Sequence, residues 1–144
     1  MTTLMSPRSL SRRGLHVGQT DLPVVEARKV RGHNQVVGRS NHEIEELPES
    51  EEMGADRVAF GPIYPIGTED VGYDPKGINR SLLAREASKT PLVAIHGINA
   101  ENAAPVIEAG AEAICVTAAV GVAPNPEATG ARLVKVIEDA GGRV

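Results

Sequence analysis

The sequence predicts an α/β fold in which parallel strands alternate with helices through about five units. Three observations carry that reading. Short apolar segments recur at Leu15–Gly18, Val36–Gly38, Val58–Phe60, Leu92–Ile95 and Ala113–Thr117. The last two are β-branched runs with no polar face, as strands buried on both sides require. Their anchors Leu15, Val36, Val58, Val93 and Ile114 stand 21, 22, 35 and 21 residues apart, a near-constant step. The segments between them carry helical patterning bounded by capping residues, prolines and glycines.

Taken in order, Leu22 to Arg31 reads as a helix with Asp21 as N-cap and Pro23 in its first turn. Ser40 or Asn41 caps the next helix, acidic from Glu43 to Glu52, and Pro48 is expected to kink or restart it. The single long step holds Pro62, Pro65, Gly67, Gly72, Pro75 and Gly77, the composition of an extended functional loop. Ser81 to Ser88 places Leu83 and Ala87 on one apolar stripe. Asn99 caps Ala100 to Ala109, with Ala103, Val106 and Ile107 inward and Gly110 at its end. Glu127 to Ala140 buries Leu133, Val134 and Ile137 and stops at Gly141–Gly142.

Composition narrows the function classes. Aromatic residues make up 2% of the 144 residues and Trp is absent, so base-stacking platforms for nucleic acid are excluded. A net charge of −4 gives no general attraction to nucleic acid or anionic membrane. The lone Cys115, set in an expected buried strand, forms no internal disulfide and suits a reducing cytoplasm. No apolar run approaches the roughly 20 residues of a membrane span. Met1 to Arg13 carries three arginines and no acid, and reads as a disordered leader before a domain over residues 14–144.

Chemistry concentrates in Pro91–Gly121, where two adjacent strands run into turns at Gly97 and Gly121. Backbone N–H groups at such turns approach a ligand with no Cβ in the way. Barrels of alternating strands and helices often cradle a phosphate at their last two strands. A complete barrel takes about 250 residues, so this length allows an open sheet or part of a barrel. His16, His33 and His42 show no metal-ligand spacing with one another or with Cys115.

Four motifs occur in order: Gly14-Leu-His-Val-Gly-Gln-Thr-Asp-Leu-Pro23, Val37-Gly-Arg-Ser-Asn-His42, Gly54-Ala-Asp-Arg-Val-Ala-Phe-Gly-Pro-Ile-Tyr-Pro65 and Val93-Ala-Ile-His-Gly-Ile98. Together they resemble thiamine-phosphate synthase and its thiazole-tautomerase relatives. The resemblance implies a TIM (β/α)₈-barrel fold, here shortened to its last five units. It implies a transferase of thiamine biosynthesis that joins a pyrimidine pyrophosphate to a thiazole phosphate, uses Mg²⁺ and releases pyrophosphate.

By the same resemblance, Asp21 is the Mg²⁺ ligand, Gln19 shapes the site and Ser40 binds pyrophosphate. Gly97 binds the thiazole phosphate with Val116 and Thr117, which match a Val-Ser pair. His96 stands where the family has another glycine, and is read either as a phosphate donor or as a histidine satisfied by backbone. In the loop after the third strand the family pattern ends Thr-x-Thr-Lys. Here Ile66 replaces the first threonine, Thr68 keeps the second as a catalytic candidate with Ser40, and Glu69 replaces the lysine. An anion there repels pyrophosphate, and Lys76 is the candidate substitute. Tyr64 is read as a packing residue with a hydroxyl handle. Three readings stay open: a synthase, completed by self-association or by another chain supplying the missing strands; a thiazole-tautomerase relative; and a non-catalytic phosphate-binding fragment.

Overall fold

The computed structural model describes residues 14–31, 34–65 and 75–142, leaving out the side chain of Arg31. The expected leader, His33, and the loop residues Ile66, Thr68 and Glu69 lie outside the described residues. Five parallel strands form one sheet in the order of the chain: β1 (Gly14–Val17), β2 (Val36–Asn41), β3 (Arg57–Phe60), β4 (Leu92–Ile95) and β5 (Ala113–Cys115). The register pairs Val17 with Arg39, Asn41 with Phe60, Phe60 with Ala94 and Ile95 with Cys115. Sequential order without reversal is the arrangement of a barrel arc; a doubly wound sheet reverses its order at a switch point.

The crossovers are α1 (Val24–Arg31), α2 (Glu46–Glu52), α3 (Gly77–Ala87) and α4 (Ala103–Glu108); α5 (Ala118–Gly121) and α6 (Pro126–Asp139) follow the last strand. Strand alternation sends one set of side chains to these helices. Val58, Phe60, Leu92 and Ala94 pack with Leu47, Ala84, Ala103, Val106 and Leu133 in the main core. A second cluster joins Val17 and Val37 to Val24, Ala27 and Ala55. The opposite set, which includes His16, Gly38, Ser40, Ile95 and Cys115, lies on the other face of the sheet. The helix layer holds the core, and the strand ends of the other face carry the cavity residues.

Several local expectations change. α2 begins at Glu46, so Pro48 lies in its first turn, where its missing N–H has no intrahelical partner to lose, and no restart occurs. Ser40 and Asn41 belong to β2 and cap nothing. Pro23 accepts the first helical bond of α1 from Ala27, while the Asp21 carboxylate turns back to the Gly18 N–H at 2.8 Å. In α3 the buried positions are Ser81 and Ala84, and Leu83 is 48% exposed. The inward stripe runs at i, i+3 from Ile78 through Ser81 and Ala84 to Ala87. Asn99 closes the turn before α4 by accepting from the N–H groups of Glu101 and Asn102. α6 buries Leu133 and packs Val136 inward, whereas Val134 faces solvent. β5 stops at Cys115, which is exposed at the strand end, and Gly121 ends α5.

Candidate functional site

A cavity of about 840 Å³ opens at the C-terminal ends of the strands. His16 of β1, Ser40 of β2 and Ile95 of β4 line it, with Pro65 beyond β3 and the residues after β4 and β5. Barrel folds place their chemistry at this end, because loops there vary while the strands stay fixed. Among the described residues no Asp, Glu, Lys or Arg lines it.

His16 and Ser40 meet across the first two strands. The His16 Nε2 and the Ser40 Oγ are 2.8 Å apart, in a hydrogen bond. His16 lies over Gly38, where a Cβ would stand 2.7 Å from its Nδ1, so a larger residue at 38 would displace the imidazole. Behind the strand end, a buried polar network fixes Ser40. Arg39 donates to Ser50 Oγ at 3.1 Å and to Gln19 Oε1 at 2.8 Å. Gln19 in turn donates to the Ser40 carbonyl at 2.9 Å and to Asn41 Oδ1 at 3.4 Å. Gln19 is therefore a brace behind the cavity and does not line it.

The turn after β4 is held from two sides. Ile63 N–H donates to the Ile95 carbonyl at 3.1 Å, and Tyr64 N–H to the His96 carbonyl at 3.4 Å. Asn102 donates to the Gly97 carbonyl at 2.9 Å and accepts from Asn99 N–H at 2.8 Å. The Tyr64 hydroxyl donates to the Asn102 carbonyl at 3.0 Å, its hydroxyl handle used in bracing. Gly97 has φ +75°, and a Cβ on it would meet the Tyr64 carbonyl oxygen at 2.5 Å. Both facts demand glycine. His96 precedes it at φ +70° and lines the cavity with Val116 and Thr117.

Of the sequence-predicted site residues, Ser40, His96, Gly97, Val116 and Thr117 thus share one cavity. Asp21 does not line it; the half-buried carboxylate sits beyond β1 and acts electrostatically on His16. Thr68 lies outside the described residues. Lys76 is committed elsewhere, its Nζ 2.9 Å from Glu43, which Arg80 also contacts at 3.1 Å. Among the described residues no group of three or more His, Cys, Asp or Glu is arranged to hold a metal. His16 and Cys115 are lining residues that motif reading passed over. Strand alternation was the available signal for His16, since Leu15 and Val17 occupy the opposite face.

Burial pushes His16 below the usual histidine pKa, with the Asp21 carboxylate pulling partly the other way. Burial also lowers His96, and His42 lowers it further. Between those lowered values and the ordinary 6.5 the unfolded chain binds more protons than the folded one. Stability therefore rises with pH through that window and falls on acidification. The urea midpoint is expected to drop from about pH 7.5 to about pH 5.5, and to drop less in a His16→Asn/His96→Asn double variant. A flat wild-type profile would refute this.

The chain matches a family model described as thiamine monophosphate synthase over residues 8–120. It is 41% identical over 124 residues to a thiamine-phosphate synthase of Chlorobium luteolum, a match covering 86% of this chain and 58% of that protein. A thiamine-phosphate synthase of Shouchella clausii is 41% identical over 127 residues, covering 88% of this chain and 61% of its own length. The structure of thiamine phosphate pyrophosphorylase from Pyrococcus furiosus superposes with a TM-score of 0.80 at 31% identity, covering 90% of this chain and 61% of that one. The chain thus spans about three-fifths of the length of these relatives.

Proposed function

Because the chain belongs to the thiamine monophosphate synthase family, we propose that its cavity binds phosphorylated thiamine precursors and serves the synthesis of thiamine phosphate. The observation that carries this reading is the shared cavity of Ser40, Gly97, Val116 and Thr117 at the strand ends. Backbone N–H groups around Gly97 and the Thr117 hydroxyl receive the phosphate of the thiazole partner. Ser40, oriented through its carbonyl by Gln19 and through its hydroxyl by His16, faces the pyrophosphate of the pyrimidine partner.

The reaction is displacement at the pyrimidine methylene carbon: the thiazole nitrogen supplies the electron pair, and pyrophosphate leaves with the pair of the breaking C–O bond. Holding two charged reactants in line contributes most of what such a site supplies. Asp21, a hard carboxylate beyond β1 and beside the cavity, is the residue that would hold a Mg²⁺ ion. An ion held there would supply charge neutralisation for the departing pyrophosphate. The chain's own residues bind, orient and exclude water. Glu69 in place of the motif lysine favours a second reading, proton transfer on a thiazole phosphate with no pyrophosphate step.

Calorimetric titration separates the two. Binding of thiazole phosphate, followed by binding of pyrophosphate with Mg²⁺, is the expected result for a synthase site. Thiazole phosphate alone supports the second reading. No binding by folded protein overturns both.

A further inference from the structure

We propose that His96 is the charge-bearing ligand of this cavity: its imidazole takes up a proton as a phosphate monoester binds, pairs with the dianion, and so makes affinity depend on pH. The proposal rests on the phosphate-binding reading of the cavity and adds to it the group that supplies the countercharge.

The cavity has no lysine or arginine among its described lining residues, so among these residues a bound dianion meets only imidazoles as cations. There are two, His16 and His96. His16 is engaged on the Ser40 hydroxyl at 2.8 Å and confined over Gly38. The His96 ring makes no hydrogen bond among the described residues and lines the cavity partly desolvated, at the turn that also presents Gly97. It is therefore the imidazole free to engage a ligand.

Its backbone points the same way. His96 is the one non-glycine residue with a left-handed φ, +70°, among the described residues. A side chain there is strained, and glycine would relieve the strain. Strain of this kind persists where the surroundings over-determine it, and here the Tyr64 N–H and the Asn102 brace hold the turn.

The titratable groups facing the cavity from neighbouring elements are His16 on β1, with Asp21 behind it, and Cys115 on β5. His42 beyond β2 acts on His96 directly, and Tyr64 beyond β3 packs against the turn. Burial, and after it His42, keeps His96 below its ordinary pKa. In the free protein near neutral pH it is therefore largely uncharged, and the proton arrives with the ligand.

The test is calorimetric titration of the full chain with thiazole phosphate at about pH 6.5, in two buffers of different ionisation enthalpy, which counts protons exchanged on binding. His96→Asn keeps a side chain that tolerates the left-handed backbone and donates hydrogen bonds but carries no charge. His96→Gly removes the side chain and relaxes the backbone. The phosphate's own proton change is common to all three proteins, so differences between them isolate His96. Wild type is expected to take up a substantial fraction of one proton more than either variant, and to bind about tenfold more tightly than His96→Gly. His96→Gly is expected to melt about 3 °C higher, which shows that weaker binding is not misfolding. Equal affinity and equal proton uptake in all three would overturn the proposal while leaving the phosphate site intact. Weaker binding with unchanged proton uptake would also overturn it, reducing His96 to an uncharged donor. Absence of binding by folded wild type would overturn both the proposal and the reading beneath it.

Discussion

Gly97→Ala is expected to lower stability by about 3 kcal/mol and to abolish binding of thiazole phosphate. Two costs combine. The left-handed φ of +75° strains any residue with a Cβ by about 1–2 kcal/mol. The added methyl also meets Tyr64 O at 2.5 Å and Tyr64 C at 2.8 Å. Those are backbone atoms, held by the Tyr64 N–H bond to the His96 carbonyl, and they cannot swing aside as a flexible side chain would. Relief comes only by opening the turn, which moves the N–H groups assigned to the phosphate. Gly54→Ala is the matched control, because φ there is +92° but nothing lies within 4 Å of an added Cβ. It is expected to cost about 1 kcal/mol and leave binding untouched. Urea unfolding of both variants, paired with calorimetry, separates strain from clash. Retained affinity in Gly97→Ala would remove the turn after β4 from the phosphate site.

The strands were legible because the face packed on the helices leaves short apolar runs at a near-constant step. Leu92–Ile95 falls where expected to the residue, and the other starts agree within one. Gly97 was legible because a strand running into a glycine-containing turn announces a special backbone angle. Side chains that depend on neighbours were not. Pro48 looks like an interruption until Ile44 and Glu45 are seen outside the helix, which puts it in a first turn. Leu83 reads as core by its character, yet the helix is rotated so that the smaller Ser81 and Ala84 face the sheet. Small residues there let α3 approach closely, and spacing within one helix carries no information about that distance. Apolar character alone extends the last strand to Thr117 and buries Cys115; the strand ends at 115, which turns the thiol into a cavity wall. The Gln19–Arg39–Asn41–Ser50 network joins a loop, a strand and a helix 31 residues apart at its extremes, and no local pattern marks it.

That network sets the second large effect. Asn41→Ala is expected to cost about 3 kcal/mol, more than an ordinary surface hydrogen-bonding residue. Asn41 is fully buried and uses both ends of its amide. Its Nδ2 donates to the carbonyls of Arg39 at 2.9 Å and Ala59 at 3.2 Å, and its Oδ1 accepts from Ser50 and Gln19. Removing it leaves two strand carbonyls and a hydroxyl without these partners inside the helix layer, with too little room for free solvation. The buried Arg39 guanidinium raises the stakes, because Ser50 and Gln19 are its partners too. A Ser50→Ala change alone is expected to cost about 1–2 kcal/mol, and the double variant less than the sum, with a coupling of about 1 kcal/mol. Affinity should fall as well, although Asn41 points away from the cavity. Its loss loosens Gln19, and Gln19 holds the Ser40 carbonyl at 2.9 Å. Urea unfolding of the two single variants and the double variant measures the coupling, and pyrophosphate titration of Asn41→Ala reads its effect on Ser40. Strict additivity would mean that Asn41 and Ser50 act independently, and unchanged pyrophosphate affinity in Asn41→Ala would mean that Ser40 owes its position to β2 alone.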